Sequence, residues 1–74
     1  MEAHGLIDVT VNGESRTIPE GRNIIDLLDL LQVPRDRVAV ELDREIVRQH
    51  AWGSTIVQAG AKIEIVHFVG GGRA

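Results

Sequence analysis

One segment of this chain has the spacing of an amphipathic helix, and the other apolar residues have to be arranged around it. Large aliphatic residues recur there at helical spacing on one side: Ile24, Leu27, Leu28 and Leu31. Asn23 can cap the N-terminus of this helix, where Asp26 adds a favourable negative charge, and Pro34 prevents the helix from continuing. We therefore expect a short helix over about 23–31 that packs with its apolar side on a β-sheet.

Alternating apolar residues predict the strands of that sheet. The pattern occurs at 6–11, 14–18, 37–42 and 46–47, and again from Lys62 up to the glycines near the end of the chain. Asn12-Gly13 is the preferred central pair of a type I′ hairpin turn between the first two strands, and Pro19 places the second strand at an edge. Trp52 is expected in a short helical turn that covers one end of the core.

The order of these segments predicts an α+β fold, in which a mixed sheet of four to five strands has one main helix across one face. If the first and last strands pair side by side in parallel, the fold is a ubiquitin-like β-grasp, and the end of the chain leaves from the centre of the sheet. In that sheet the side chains of Ile63 and Ile65 face the helix. A different α+β sheet stays open, because periodicity does not fix the order of the strands.

Three consecutive glycines, Gly70, Gly71 and Gly72, follow the last strand. They have no side chains to pack and lose much backbone entropy on ordering, so we expect a folded domain over 1–69 and a flexible Gly-rich tail over 70–74. Such a tail can carry a carboxyl group into the active site of a partner. The plainer interpretation is a chain end without a role, and a phosphate-binding loop is disfavoured because no helix or Lys-Ser/Thr pair follows.

Composition limits the classes of partner and of chemistry. The chain has 74 residues, no apolar run that could cross a membrane and no recognisable secretory signal, so we expect a single cytoplasmic domain without membrane binding. A net charge of -3 with eight scattered Lys and Arg argues against nucleic-acid binding and suits a basic protein partner. The absence of Cys excludes thiolate chemistry, and His4, His50 and His67 are too dispersed to predict a metal site.

Taken together, segments along nearly the whole chain resemble the thiamine-biosynthesis sulfur-carrier (ThiS) family. The residues that carry the resemblance are Val11-Asn-Gly-Glu14, Leu27-Leu28 with Leu31, Val38-Ala-Val-Glu-Leu42, Ile46-Val47, Trp52, Gly60, Ile63-Glu-Ile-Val66 and Val69-Gly-Gly-Gly72. The resemblance implies a β-grasp protein that carries sulfur for the thiazole ring of thiamine, as a cosubstrate of other enzymes and not an enzyme itself. The chain departs from the family pattern at Ala61, where Asp is common, at Arg48, where Pro is common, and at Arg73-Ala74 beyond the glycines.

The chemistry that the resemblance implies takes place on the glycines. Gly72 would be the site of covalent sulfur attachment, at the end of a tail formed with Gly70 and Gly71. A ubiquitin-activating-like adenylyltransferase would use ATP to adenylate the glycine carboxylate, which then becomes a thiocarboxylate, and thiazole synthase would receive the sulfur. No cofactor is expected on the carrier itself. Because Arg73 follows Gly72 in a peptide bond, the resemblance also implies a processing peptidase that first removes Arg73-Ala74.

Glycine suits this chemistry on physical grounds, because an unhindered carbonyl and a chain without side chains can enter a narrow cleft. Val66 and Phe68 are the candidate docking residues for the activating enzyme. They alternate with Ile63 and Ile65, so a sheet covered by one helix leaves them on its open face beside the tail. A sheet end that curls over would bury them instead.

Two other functions fit the same sequence. A carrier of this type could instead serve molybdopterin or another sulfur-requiring pathway, because the recipient is set by surface complementarity. A ubiquitin-like protein modifier or a non-covalent interaction domain would use the tail for an isopeptide bond or for no covalent chemistry. No catalytic residues are predicted, since Asp26 and Asp29 on the outer side of the helix are interpreted as solvated charges.

Overall fold

The computed structural model describes residues 5–68, and these residues form one mixed sheet with an α-helix packed across one face. The strands, numbered in chain order, are β1 Leu6–Val11, β2 Glu14–Pro19, β3 Val38–Leu42, β4 Glu45–Val47 and β5 Lys62–His67, and the helix α1 is Ile24–Leu30. Two 3-10 helices, Arg35–Arg37 and Gln49–Ser54, lie in the connections. The strands and the helix predicted from the sequence are all present, with bounds that differ by one or two residues.

The strand order is β2-β1-β5-β3-β4, so the last strand in the sequence is the central strand of the sheet. β1 and β5 run parallel, whereas the other neighbouring pairs are antiparallel. This confirms the parallel pairing that defines the predicted β-grasp, and it places β2 at an edge as Pro19 required. Asn12 and Gly13, at φ 49° and 83°, form the tight turn that joins β1 to β2.

Helix α1 begins and ends through hydrogen bonds that its own sequence supplies. At the N-terminus, Asn23 Oδ1 accepts a hydrogen bond from Asp26 N at 2.8 Å, and Asp26 Oδ2 accepts one from Asn23 N at 3.1 Å, which is a capping box. At the C-terminus, Gln32 adopts φ 59° and Val33 N donates to Leu28 O at 2.9 Å. This is a Schellman ending, and it stops the helix before Pro34 is reached.

The core lies between α1 and the covered face of the sheet. Its fully buried side chains come from the helix, from the central strand β5 and its neighbour β3, and from the segment after the second 3-10 helix: Ile24, Leu27, Leu28, Val40, Val57 and Ile63. Trp52 is buried as predicted, and its indole Nε1 donates to Val47 O at 2.8 Å. The indole therefore covers one end of the core while its polar atom remains satisfied.

Replacing Asn23 with Ala should lower the free energy of unfolding by about 0.5–2 kcal/mol, because the helix loses its N-cap. Asn23→Asp keeps the capping oxygen but cannot donate the hydrogen bond that Asn23 Nδ2 makes to Gly53 O at 3.1 Å. We expect Asn23→Asp to retain most of the stability in urea unfolding. A loss as large as that of the Ala variant would show that the bond to Gly53, and not the cap, is the stabilising contact.

Candidate functional site

The candidate site lies where β5 ends. The predicted sulfur-attachment residue Gly72 and the tail residues Gly70 and Gly71 lie outside the described residues. Val69 and Arg73-Ala74 do so too, and with them the whole of the predicted 70–74 tail. The described chain ends at Phe68, and Val66 and Phe68 are the site residues that the structure places. The geometry of the site is therefore the geometry of β5 and of the sheet face beside its C-terminal end.

β5 pairs with a strand on each side, but the pairing with β1 ends earlier along β5 than the pairing with β3. On the β3 side the pairing extends to His67, and beyond it Phe68 N donates to Arg37 O at 2.8 Å. On the β1 side the strand pairing stops at Val11 and Ile63. The sheet thus fixes the backbone of β5 up to the last described residue, mainly through β3.

Val66 and Phe68 are exposed on the face of the sheet that α1 does not cover, with 53% and 56% of their surface accessible. Val66 lies directly opposite Ala39 on β3, and Ile46 on β4, 67% exposed, lies opposite Glu41 on the same face. The sheet end does not curl over these side chains. We refer to Ala39, Ile46, Val66 and Phe68 as the open-face patch.

A shallow depression of about 480 Å³ adjoins the open-face patch and shares Ala39, Ile46 and Phe68 with it. The charged residues that line this depression are Arg35, Asp36 and Arg48, with His50 beside them. At the other end of the patch, Glu41 and Glu64 lie directly opposite each other on β3 and β5. The patch is therefore bordered by carboxylates at one end and mainly by basic side chains at the other.

The described residues contain no group of three or more His, Cys, Asp or Glu side chains that could hold a metal ion, and no buried polar or charged side chain. His50 lies in the depression and His67 lies at the end of β5 on the helix side, opposite Val38. Within residues 5–68, no helix is long and apolar enough to cross a membrane. What this part of the chain offers is an exposed apolar patch and a fixed strand end.

These features define a β-grasp protein in which the chain that follows the fixed central strand carries the glycines. The family model of the ThiS family matches residues 9–72, which include the glycines. The chain belongs to the ThiS family.

A solved structure and several sequences are similar to the chain. The crystal structure of a thiamine biosynthesis protein (ThiS) from Geobacter metallireducens is 35% identical with a TM-score of 0.75, covering 88% of this chain and 99% of that one. A thiazole synthase from Magnetococcus marinus is 34% identical over 65 residues, which are 88% of this chain but 20% of that protein. The uncharacterized protein ycf40 of Porphyra purpurea is 30% identical, covering 89% of this chain and 93% of that protein. The chain thus spans about a fifth of the length of the thiazole synthases that it matches.

The contributions of Ala39 and Ile46 to the open-face patch are not predicted from the sequence. Both positions belong to strands that alternation identifies, and alternation places Ala39 on the side opposite Val38 and Val40. Which residue lies beside Val66 depends on the pairing of β3 with β5. The periodicity of the sequence does not show which strands are neighbours. The signal that could have revealed these residues is the strand order of the family's fold.

The opposed pair of Glu41 and Glu64 should cost stability, because like charges directly opposite in neighbouring strands repel. Glu64→Gln should raise the free energy of unfolding by about 0.2–1 kcal/mol at low salt, and less at high salt because salt screens the repulsion. Glu45→Gln is the matched control, since Glu45 is exposed and lies opposite Leu42. Equal gains in the two variants would assign the effect to net charge and not to the pair.

Proposed function

We propose that this chain carries sulfur for the thiazole ring of thiamine as a thiocarboxylate on Gly72. The observation that carries the proposal is the family match, which runs without interruption from β1 through the sheet to the glycines at residue 72. The similarity to thiazole synthases favours the thiazole of thiamine over molybdopterin as the destination of the sulfur. The fold supports the proposal because the strand that leads to the glycines is the central strand of the sheet.

The chemistry requires a free carboxylate on Gly72. In the first step, a carboxylate oxygen attacks the α-phosphorus of ATP in an activating adenylyltransferase, and pyrophosphate leaves. In the second step, hydrosulfide (HS⁻) released by a sulfur donor attacks the acyl carbon and loses its proton, and AMP leaves with the carboxylate oxygen, so that a thiocarboxylate remains. Thiazole synthase would then take the sulfur. In these steps the chain is a cosubstrate, and ATP is bound and used by its partner.

Arg73-Ala74 would have to be removed before this chemistry can begin. In the sequence the carbonyl of Gly72 forms a peptide bond with Arg73, so it has no carboxylate to adenylate. Arg73 also places a long cationic side chain where an unhindered chain is needed. We therefore include a processing peptidase among the partners of this chain.

Incubation of the full-length chain and of a form ending at Gly72 with an activating enzyme, ATP and a sulfur donor tests the proposed function. Intact-mass measurement should show one oxygen-to-sulfur exchange in the form ending at Gly72 and none in the full-length chain. Changing Gly72 to Val in the shorter form should slow the exchange, because a branched side chain crowds the carbonyl.

Two results would contradict parts of this proposal. Thiocarboxylation of the full-length chain at Ala74 would remove the need for a peptidase. If neither form gains sulfur with any adenylyltransferase of this type, a protein-modifier or interaction-domain function takes its place.

The open-face patch is the surface that we propose for docking the activating enzyme, with Val66 and Phe68 as its anchors. These two side chains are exposed, Val66 is paired with β3 and Phe68 follows β5 directly, and one residue, Val69, separates Phe68 from the glycines. Buried aromatic and aliphatic anchors surrounded by polar residues supply most of the affinity in protein interfaces. The charged borders at Glu64 and Arg48 would fix the orientation of the partner.

Phe68→Asp should leave the fold intact and weaken binding to the activating enzyme by about 2 kcal/mol or more, because an anchor is lost and a charge is placed in the interface. Leu30→Asp is the control, since Leu30 is 50% exposed on α1 and lies away from the patch. Calorimetric titration gives the affinities, and circular dichroism checks the fold. Unfolding of the Phe68 variant, or an equal loss of binding in both variants, would contradict this docking surface.

A further inference from the structure

We propose that Asn12 is a positioning residue for the tail, because its carboxamide holds the C-terminal half of β5 where β1 no longer reaches it. The strand pairing between β1 and β5 ends at Val11 and Ile63, after which β1 turns away into the hairpin while β5 continues to His67. Among the described residues, Asn12 makes hydrogen bonds to β5 beyond Ile63 on the side that faces β1. This inference rests on the proposed function for its kinetic part and not for its structural part.

Asn12 makes three hydrogen bonds to β5. Its backbone N donates to Ile63 O at 2.8 Å, its Oδ1 accepts from Ile65 N at 2.7 Å, and its Nδ2 donates to Ile65 O at 3.1 Å. The side chain thus satisfies both backbone groups of Ile65, which two residues of a continuing parallel strand would otherwise bond. One carboxamide therefore extends the pairing by two residues toward the tail, although the strand itself has ended.

The turn and the contact to β5 make separate demands on this position. The turn requires a backbone at φ 49°, which Asn, Asp and Gly adopt readily. The contact requires one acceptor and one donor on the same short side chain, and of these three residues Asn alone has both. Gly at this position therefore keeps the turn and removes the contact, which makes the two roles separable by mutation.

Asp43 makes an equivalent contact at the opposite end of β5, and it supplies a matched control. It lies in the turn between β3 and β4 at φ 51°, where its N donates to Lys62 O at 2.7 Å and its Oδ1 accepts from Lys62 N at 2.9 Å. Asp43 therefore fixes the beginning of β5, and Asn12 fixes the part that leads to the tail. Both residues contact the strand through backbone and side chain from a position of positive φ.

Loss of the Asn12 contact should affect recognition of the tail more than overall folding. The part of β5 that leads to Val66 and Phe68 would then be held by β3 alone, so these docking residues would have to be ordered when the partner binds. Ordering flexible groups on binding costs free energy and weakens apparent affinity. This cost should raise the KM for the carrier. It should leave kcat unchanged, because the bound complex, once formed, presents the same carboxylate.

The test compares Asn12→Gly with Asp43→Gly. On the full-length chain, amide hydrogen exchange of Ile65 should become at least about tenfold faster in Asn12→Gly, whereas Asp43→Gly should accelerate Lys62 and leave Ile65 unchanged. On forms ending at Gly72, pyrophosphate release by the activating enzyme should show a KM for the carrier about two- to tenfold higher in Asn12→Gly with unchanged kcat. Asp43→Gly should show the wild-type KM.

Each outcome decides the inference. An unchanged Ile65 exchange rate in Asn12→Gly, or an equal rise of KM in both variants, would overturn it, because the second result would reflect general destabilisation. If no form of the chain supports pyrophosphate release, the proposed function fails, and the exchange rates alone then decide whether Asn12 holds the end of β5. Rescue of wild-type exchange in Asn12→Asp would show that a donor to Ile65 O is not needed.

Discussion

The short parallel pairing between β1 and β5 is the contact on which the rest of the sheet depends, because it joins the β1-β2 hairpin to the β3-β4-β5 half. Two residue pairs form the strand ladder, Thr10 with Lys62 and Val11 with Ile63. Bonds outside the ladder lengthen the contact in both directions, since Gly60 N donates to Asp8 O at 2.8 Å and Asn12 reaches Ile65. Forming this contact reduces the conformational entropy of the chain, because it joins distant parts of the sequence. The hydrogen bonds at its two ends therefore help to hold the two halves of the sheet together.

The one α-helix within residues 5–68 covers one face of the sheet, and this limit explains where the open-face patch lies. The apolar side of α1 buries the odd positions of β5, Ile63 and Ile65, in the core. The alternation of a strand then obliges Glu64 and Val66 to point to the other face. The exposure of Val66, four residues before the first of the three glycines, is thus a consequence of the architecture. Since no second helical layer covers this face within residues 5–68, a partner can cover it.

Local rules account for most of the fold that the sequence predicted. Asn12-Gly13, Asn23 with Asp26, and Trp52 each act through contacts within a few residues, and they occur where they were expected. The sequence predicted where the helix ends but not the Schellman motif that ends it, because this motif usually has Gly, and not Gln32, at the residue with positive φ. The carboxamide of Asn12 on Ile65 was also missed, since a contact over 53 positions follows from strand order and not from periodicity. The part of the candidate site that is fixed by local pattern was therefore predictable, and the part fixed by pairing was not.

The separation between docking and chemistry sets a geometric condition on the partner. Gly72 follows Phe68 by four residues, and a fully extended chain of that length spans at most about 14 Å. An enzyme that covers Phe68 and reacts at Gly72 must therefore have its reacting atoms within that distance of the surface that receives Phe68. The position and direction of the backbone at the end of β5 set the point from which this distance is measured. The pairing with β3 and the contact from Asn12 fix that backbone, so residues remote from the carboxylate would take part in recognition of the tail under the proposed function.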